Sequence, residues 1–210
     1  VGHGFVGKAF MNALNDNIET YIVDPKLNTS LSDLVSFVPD MIFICVPTPM
    51  NMDGSQDVTI INKVIKEIID MSIDSLIIIK STVLPDNLLE VQKLIPKVIY
   101  NPEFLREAHA NDDFINADLI ILGGSKAESK KLSKFYDEHT KCISNNYFFT
   151  DITTASYIKY TINSFLSMKV IFFNELKGLF EETDSNDSWE EFINILSFDK
   201  RIGDSHMQVP

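Results

Sequence analysis

Cysteine is nearly missing from this chain. Two residues of 210, Cys45 and Cys142, leave no room for a disulfide framework and point to a reducing compartment, the cytoplasm. Basic residues are also few. Lys and Arg total 18 against 30 Asp and Glu, a formal charge of −12. That balance argues against nucleic acid or an anionic membrane as the main partner, while a local pocket for a phosphate-bearing ligand stays open. Long hydrophobic runs are lacking. "MIFICV" and "LIII" have the length of strands and are too short to span a bilayer. No signal peptide is visible. His109 and His206 show no metal-ligand spacing, so no metal is expected. There is no internal repeat and no low-complexity tract.

What is present describes a globular α/β protein. Hydrophobic residues make up 45% and charged residues 23%, enough for one large domain with a smaller appendage. "FVGKAFMNALND" has helical spacing, with Phe5, Ala9 and Leu14 on or near one face. "ETYIVD" reads as a strand ending at Asp24, and "SLSDLVSF" as a short helix capped by Ser30 or Ser32. Further strands are expected in "MIFICV", "SLIIIKS", "KVIY", "DLIILGG" and "NYFFT". Helices are expected around 58–71, from Pro85, and in "KAESKKLSKFYDEH", with "NPEFLREAHANDDF" an irregular segment. Alternating strands and helices imply a Rossmann-like, doubly wound, mainly parallel sheet over residues 1–150. From 151 the texture changes. "DITTASYIKYTINSFLSMKVIFFNELKGLFEE" has no proline and reads as one long helix, followed by a shorter helix in "DSWEEFINIL". Ile158, Ile162, Phe165, Leu166, Phe172, Phe173 and Leu176 make the long helix apolar on several sides. Residues 151–210 are therefore expected to form a central helical region that dimerises through the 151–182 helix.

The first seven residues, "VGHGFVG", place glycines at Gly2, Gly4 and Gly7, the pattern G-x-G-x-x-G. Such a loop can cradle a dinucleotide pyrophosphate where a strand turns into a helix. Glycine is also needed for tight turns of any kind, so the pattern alone is weak. Asp24 strengthens it. It ends the second expected strand, twenty residues after Gly4, where a carboxylate can accept from an adenosine ribose and would repel a 2′-phosphate. NAD is therefore favoured over NADP. The strand that should precede the loop is represented only by Val1.

Several later stretches together are more specific: "FICVPTPMNMDGSQD" (43–57), "KSTVLP" (80–85), "NPEFLREAHANDDF" (101–114), "KYTINSFLSMKVIFFNE" (159–175) and "DKRIGDSHMQVP" (199–210). In order and approximate spacing they resemble the UDP-glucose/GDP-mannose dehydrogenase family, over nearly the whole chain. The resemblance implies NAD-dependent oxidation of the C6 alcohol of a nucleotide-sugar, UDP-glucose to UDP-glucuronate, in two hydride transfers. It implies that Gly2, Gly4, Phe5, Val6, Gly7 and Asp24 hold NAD. Val46, Pro47, Thr48, Ser81 and Thr82 would line the cofactor cleft, with Thr82 also orienting a water. Glu103, Phe104, Leu105, Arg106 and Glu107 would wrap the nucleotide-sugar, one of the glutamates acting as a base. Lys159 and Asn163 would stabilise the oxyanion at C6, and Arg201 would reach the ligand of a neighbouring subunit.

The residues themselves support part of this. Lys159 and Asn163 are four apart, hence on one helix face, and interrupt an apolar surface. A cation beside an amide can stabilise a developing alkoxide. By themselves they fit equally a lysine snorkelling from a core helix, and Glu103 and Glu107 fit solvated loop acids. The glycine-rich segment that carries the family's nucleophilic cysteine does not occur, so Cys45 and Cys142 read as structural and the chain as truncated at both ends. The link 24–40 is shorter than the family's, and Asp86 stands where the family usually has glycine. Other readings are a GDP-mannose or other sugar-nucleotide 6-dehydrogenase, a β-hydroxyacid dehydrogenase, and a non-catalytic dinucleotide-binding and dimerising module.

Overall fold

The computed structural model describes residues 1–143 and 146–208, which divide into two compact units, 1–159 and 160–210. The first unit is built on a five-stranded sheet: β1 (Met41–Ile44), β2 (Leu76–Ile79), β3 (Val98–Tyr100), β4 (Ile120–Gly124) and β5 (Tyr147–Thr150). The strands lie side by side in chain order, parallel throughout except for the antiparallel β3–β4 pair. Helices α1 (Phe5–Ala13), α2 (Leu34–Phe37), α3 (Thr59–Asp70), α4 (Pro85–Leu94), α5 (Ala110–Ile115) and α6 (Lys126–His139) connect them.

The strands read as nearly continuous apolar runs because both sheet faces are covered. Alternate side chains go to opposite layers. Ile42, Ile44, Ile77, Ile79, Val98 and Tyr100 pack with Ile61 of α3 and Leu88 of α4. Leu76, Ile78, Ile99, Ile120 and Leu122 pack with Phe10 of α1, Phe114 of α5 and Leu132 of α6. This is the doubly wound arrangement that the alternating pattern predicts.

Two local expectations need correcting. The segment 19–24 has no regular secondary structure and belongs to no strand of the sheet; it is tied to the glycine loop through the Gly2 N–H to Val23 O bond at 2.8 Å. Phe5 opens α1. It is exposed, while Gly7, Ala9, Phe10 and Ala13 are buried, since α1 begins only at Phe5 and rests on the sheet through its later turns. The irregular segment 101–114 contains a turn of 3₁₀ helix at Glu107–His109 and the helix α5.

The long helix is observed as α7 (Ile152–Glu181), and its first two turns, through Lys159, group with the first unit. The second unit holds the rest of α7 and α8 (Trp189–Ser197). Ser188 caps α8 reciprocally with Glu191, the hydroxyl accepting at 3.1 Å and the carboxylate at 2.8 Å. Phe173, Trp189 and Met207 form its core, with Phe180 and Phe192 against the indole. Phe165, Met168, Ile171, Phe172 and Leu179 of α7 are exposed.

Candidate functional site

The three glycines of the opening loop are needed for different reasons. Gly2 has φ +84°, and a Cβ there would lie 2.6 Å from the Cys45 carbonyl oxygen. A Cβ on Gly7 would lie 2.3 Å from the Gly2 carbonyl oxygen, so the first turn of α1 can cross the loop only without a side chain. Gly4 is different: nothing lies within 4 Å of where its Cβ would be. Its φ of −75° suits any residue. No packing within the protein asks for glycine at position 4.

Gly4 is also the N-cap of α1, with no capping side chain and no acidic residue in the first turn. The N–H groups of Phe5, Val6 and Gly7 therefore point out of the helix end without a protein partner among the described residues. Asp24 stands beside them. Its carboxylate accepts from His3 N–H at 2.7 Å and Lys26 N–H at 2.8 Å. Those bonds, the His3 one first, hold its pKa below the usual carboxylate value. Each oxygen keeps a lone pair, and the group lies near the surface, so it can accept a further hydroxyl. A bare helix N-terminus, an uncluttered glycine and a fixed carboxylate fit the pyrophosphate and ribose of a dinucleotide.

A second cluster joins the ends of β1, β2 and β3 to the start of α7. Thr48 Oγ1 donates to Thr82 O at 2.6 Å, and Ser81 Oγ donates to Val46 O at 2.7 Å. These bonds tie the Val46–Pro47–Thr48 loop to the Ser81–Thr82 loop. Ser156 Oγ of α7 donates to Val83 O at 2.7 Å. One turn later Lys159 Nζ donates to the Glu103 carbonyl and lies 3.5 Å from the Glu103 carboxylate and 4.9 Å from the centre of the Phe104 ring. Glu103 also accepts from Leu105 N–H at 2.6 Å. Lys159 is only 3% exposed, so it does not snorkel to solvent. Burial lowers its pKa, and Glu103 partly offsets this.

Each remaining candidate has its own local setting. Arg106 forms a bidentate pair with Asp113, at 2.7 and 3.0 Å, at the surface. Glu107 is exposed in its 3₁₀ turn, and Asn163 is exposed one turn beyond Lys159 on α7. Arg201 is exposed and paired with Asp199, at 2.5 and 2.9 Å. Burial pushes the thiols of both Cys45 and Cys142 up, the opposite of what a nucleophile needs.

The sequence reading missed the groups beneath this cluster. Lys80, 2% exposed, donates to Asn101 Oδ1 at 2.9 Å and Tyr136 Oη at 3.2 Å, while Asn101 Nδ2 donates to Ile121 O at 2.9 Å. This buried network anchors the start of the 101–107 loop. Gln56 braces the 82–87 turn, donating to Thr82 O at 2.8 Å and accepting from Leu84 N–H at 3.0 Å. Lys80 sits inside an apolar strand pattern, and that break was the available signal.

A doubly wound sheet with a glycine loop at the start of α1 is the arrangement of a Rossmann-type dinucleotide-binding domain. The comparisons with known proteins agree. Residues 12–140 match the NAD binding domain of the UDP-glucose/GDP-mannose dehydrogenase family, and residues 153–209 match its central domain. The chain belongs to that family. It is 35% identical over 176 residues to the UDP-glucose 6-dehydrogenase of Rickettsia bellii, covering 78% of this chain and 39% of the relative. It is 33% identical over 195 residues to the uncharacterized protein MJ1054 of Methanocaldococcus jannaschii, covering 86% and 22%. A UDP-glucose dehydrogenase structure from Pyrobaculum islandicum matches with a TM-score of 0.73 at 28% identity, covering 85% of this chain and 43% of that one. The chain thus spans between a fifth and just over two-fifths of the length of these relatives.

Proposed function

We propose that this chain supplies the NAD-binding and central-helix portions of a nucleotide-sugar 6-dehydrogenase, with UDP-glucose as substrate. The observation that carries this reading is the buried Lys159–Glu103 pair, held beside the Val46–Thr48 and Ser81–Thr82 loops. NAD⁺, when bound, would supply the hydride acceptor for the sugar carbon. Gly4 and the first turn of α1 hold the pyrophosphate, and Asp24 holds the ribose.

Lys159 is the group for the developing oxyanion at C6. One of its three N–H donors is committed to the Glu103 carbonyl and the Glu103 carboxylate lies 3.5 Å away, which leaves a donor for the sugar oxygen. In a dry site that hydrogen bond strengthens as charge develops on the oxygen. A ligand reaches it only when the 103–105 loop shifts, since that loop covers the ammonium. Asn163 adds a second donor on the same helix. Glu103 or Glu107 acts as the base for the later hydrolysis, and Thr82 orients the water. Arg106 contacts the nucleotide-sugar, and Arg201 reaches the ligand of a neighbouring copy. Two copies pair through the exposed apolar face of α7, and the protein works in the cytoplasm. No described helix is long and apolar enough to cross a membrane, and no described His, Cys, Asp and Glu cluster would hold a metal.

The test is turnover. The 210-residue chain, whose two thiols are poorly set for covalent capture, should not convert UDP-glucose to UDP-glucuronate. Completed with the C-terminal portion of the Rickettsia bellii relative, it should do so, read by NADH absorbance and mass spectrometry of the nucleotide-sugar. In that enzyme Lys159→Ala should lower kcat by roughly a hundredfold, about 3 kcal/mol for one oxyanion donor. Unimpaired turnover by Lys159→Ala would remove the lysine from the chemistry.

A further inference from the structure

Strand β2 breaks its own pattern at its end. Leu76 and Ile78 face the layer of α5 and α6, and the next position on that face holds Lys80 where the alternation asks for another apolar residue. Its Nζ lies 5.1 Å from the centre of the Phe114 ring and donates to Asn101 Oδ1 at 2.9 Å and to Tyr136 Oη at 3.2 Å. All of these partners are neutral. A buried ammonium held by neutral groups costs stability, and a methionine of similar length would fill the same space without that cost. Packing alone gives no reason for a lysine here.

The reason lies on the neighbouring strand. The β2–β3 register sets Ile79 opposite Tyr100, and Asn101 N–H continues the ladder to Ile79 O at 2.8 Å, so Lys80 and Asn101 are cross-strand neighbours. Nζ is also 3.4 Å from the Asn101 carbonyl oxygen. One ammonium thus holds both the side chain of Asn101 and the peptide that links it to Pro102. That peptide leads into the site. A residue before proline is confined to extended backbone, and proline fixes its own φ. Pro102 is itself buried. Little freedom is left between Asn101 and Glu103, whose carbonyl accepts from Lys159 and whose carboxylate lies 3.5 Å from it. Burial lowers the pKa of both lysines, and the Glu103 carboxylate is among the groups that offset this at each. Swinging Glu103 outward would leave two buried ammoniums without it.

We propose that Lys80 is a positioning residue: through Asn101 and Pro102 it fixes Glu103 against Lys159, so that the Lys159 ammonium stays dry and covered until a ligand displaces the 103–105 loop. Lys80 acts through the chain between them and touches no substrate. Its part in catalysis rests on the proposed function, whereas the coupling between the two lysines does not.

The test reads Lys159 directly in the 210-residue chain. Leu105 N–H donates to the Glu103 carboxylate, so its exchange reports the loop. Acetic anhydride labelling of Lys159, amide exchange at Leu105 and at Ile78, and the urea midpoint are compared in the parent, Lys80→Met, Asn101→Ala and Tyr136→Phe. Lys80→Met should speed Lys159 labelling and Leu105 exchange at least about tenfold, while Ile78 exchange and the midpoint hold or improve. A lysine that only supported the core would loosen Ile78 and Leu105 together. Asn101→Ala removes the side-chain acceptor from the other end of the link and should expose Lys159 in the same way, which decides the matter even if Lys80→Met does not fold. Tyr136→Phe keeps the Lys80–Asn101 bond and should leave Lys159 covered. In the enzyme completed from the Rickettsia bellii relative, Lys80→Met should lower kcat about tenfold with the KM for NAD⁺ unchanged. Three results would overturn the proposal: unchanged labelling and exchange in Lys80→Met or Asn101→Ala, equal acceleration at Ile78 and Leu105, or the same exposure of Lys159 in Tyr136→Phe. If the completed parent makes no UDP-glucuronate, the proposed function fails, while labelling and exchange still decide the role of Lys80.

Discussion

Gly4→Ala separates folding from cofactor binding. An alanine Cβ at this position meets no protein atom within 4 Å, and φ −75° is an ordinary backbone value. Removing the conformational freedom of glycine from the unfolded chain stabilises by ~0.4–1 kcal/mol. Alanine is a poorer N-cap than glycine by a similar amount. The two effects offset, so the unfolding free energy should stay within about 0.5 kcal/mol of the parent. The methyl would, however, stand where the pyrophosphate must approach the end of α1. A forced overlap of that kind costs ~1–3 kcal/mol, roughly 5- to 150-fold in affinity. Urea unfolding gives the first quantity and calorimetric titration with NAD⁺ the second. A Gly4→Ala chain that binds NAD⁺ as tightly as the parent would refute the reasoning, since the one glycine with no packing role would have no ligand role either.

The other predictions act on neighbouring parts of the same structure. Gly7→Ala should behave in the opposite way. Its Cβ would sit 2.3 Å from the Gly2 carbonyl oxygen, and the loss of stability should be ~1–3 kcal/mol by urea unfolding, whether or not a ligand is present. Asp24→Ala should weaken NAD⁺ binding by ~1–3 kcal/mol. Because the folded-state pKa of Asp24 is lowered, the restraint it places on the His3 and Lys26 amides holds above the ordinary carboxylate pKa. That restraint is lost as pH falls through the lowered value, which amide exchange at His3 would report. Burial lowers the pKa of Lys80, so the unfolded chain binds more protons and stability rises with pH from the lowered value up to 10.5. Lys80→Met should remove that part of the slope, measured as the difference between the two urea-midpoint profiles. Light scattering at micromolar concentration should show a dimer, and Phe172→Asp, at a position 59% exposed on α7, should shift it to monomer without unfolding the chain.

Much of the sheet is legible because hydrophobic runs bounded by proline, glycine and charge have few alternatives in an α/β chain. "LIII" and "KVIY" became β2 and β3, and the proline-free stretch after 151 became α7. The segment 19–24 misled for a reason that no local pattern contains. Its residues favour a strand, but a strand exists only with a partner on its edge, and here that edge meets a single bond at Gly2.

At the site, the glycine spacing and Asp24 stand out as a short-range pattern. Residue spacing could place Lys159 on a helix, but not beneath the 103–105 loop, because that burial depends on a contact across 56 positions of chain. The Lys80–Asn101–Tyr136 network joins three elements distant in sequence and has no motif of its own. The exposed positions, Glu107, Asn163 and Arg201, are those for which resemblance speaks and packing does not.

Calorimetric titration of the chain with NAD⁺ and with NADP⁺, side by side and at matched salt, tests the central claim most directly. The account predicts that NAD⁺ binds more tightly, because the Asp24 carboxylate accepts from a ribose diol and repels a 2′-phosphate, and that Asp24→Ala narrows the gap. NADP⁺ binding as tightly as NAD⁺ or more so, or a gap unchanged in Asp24→Ala, would contradict it.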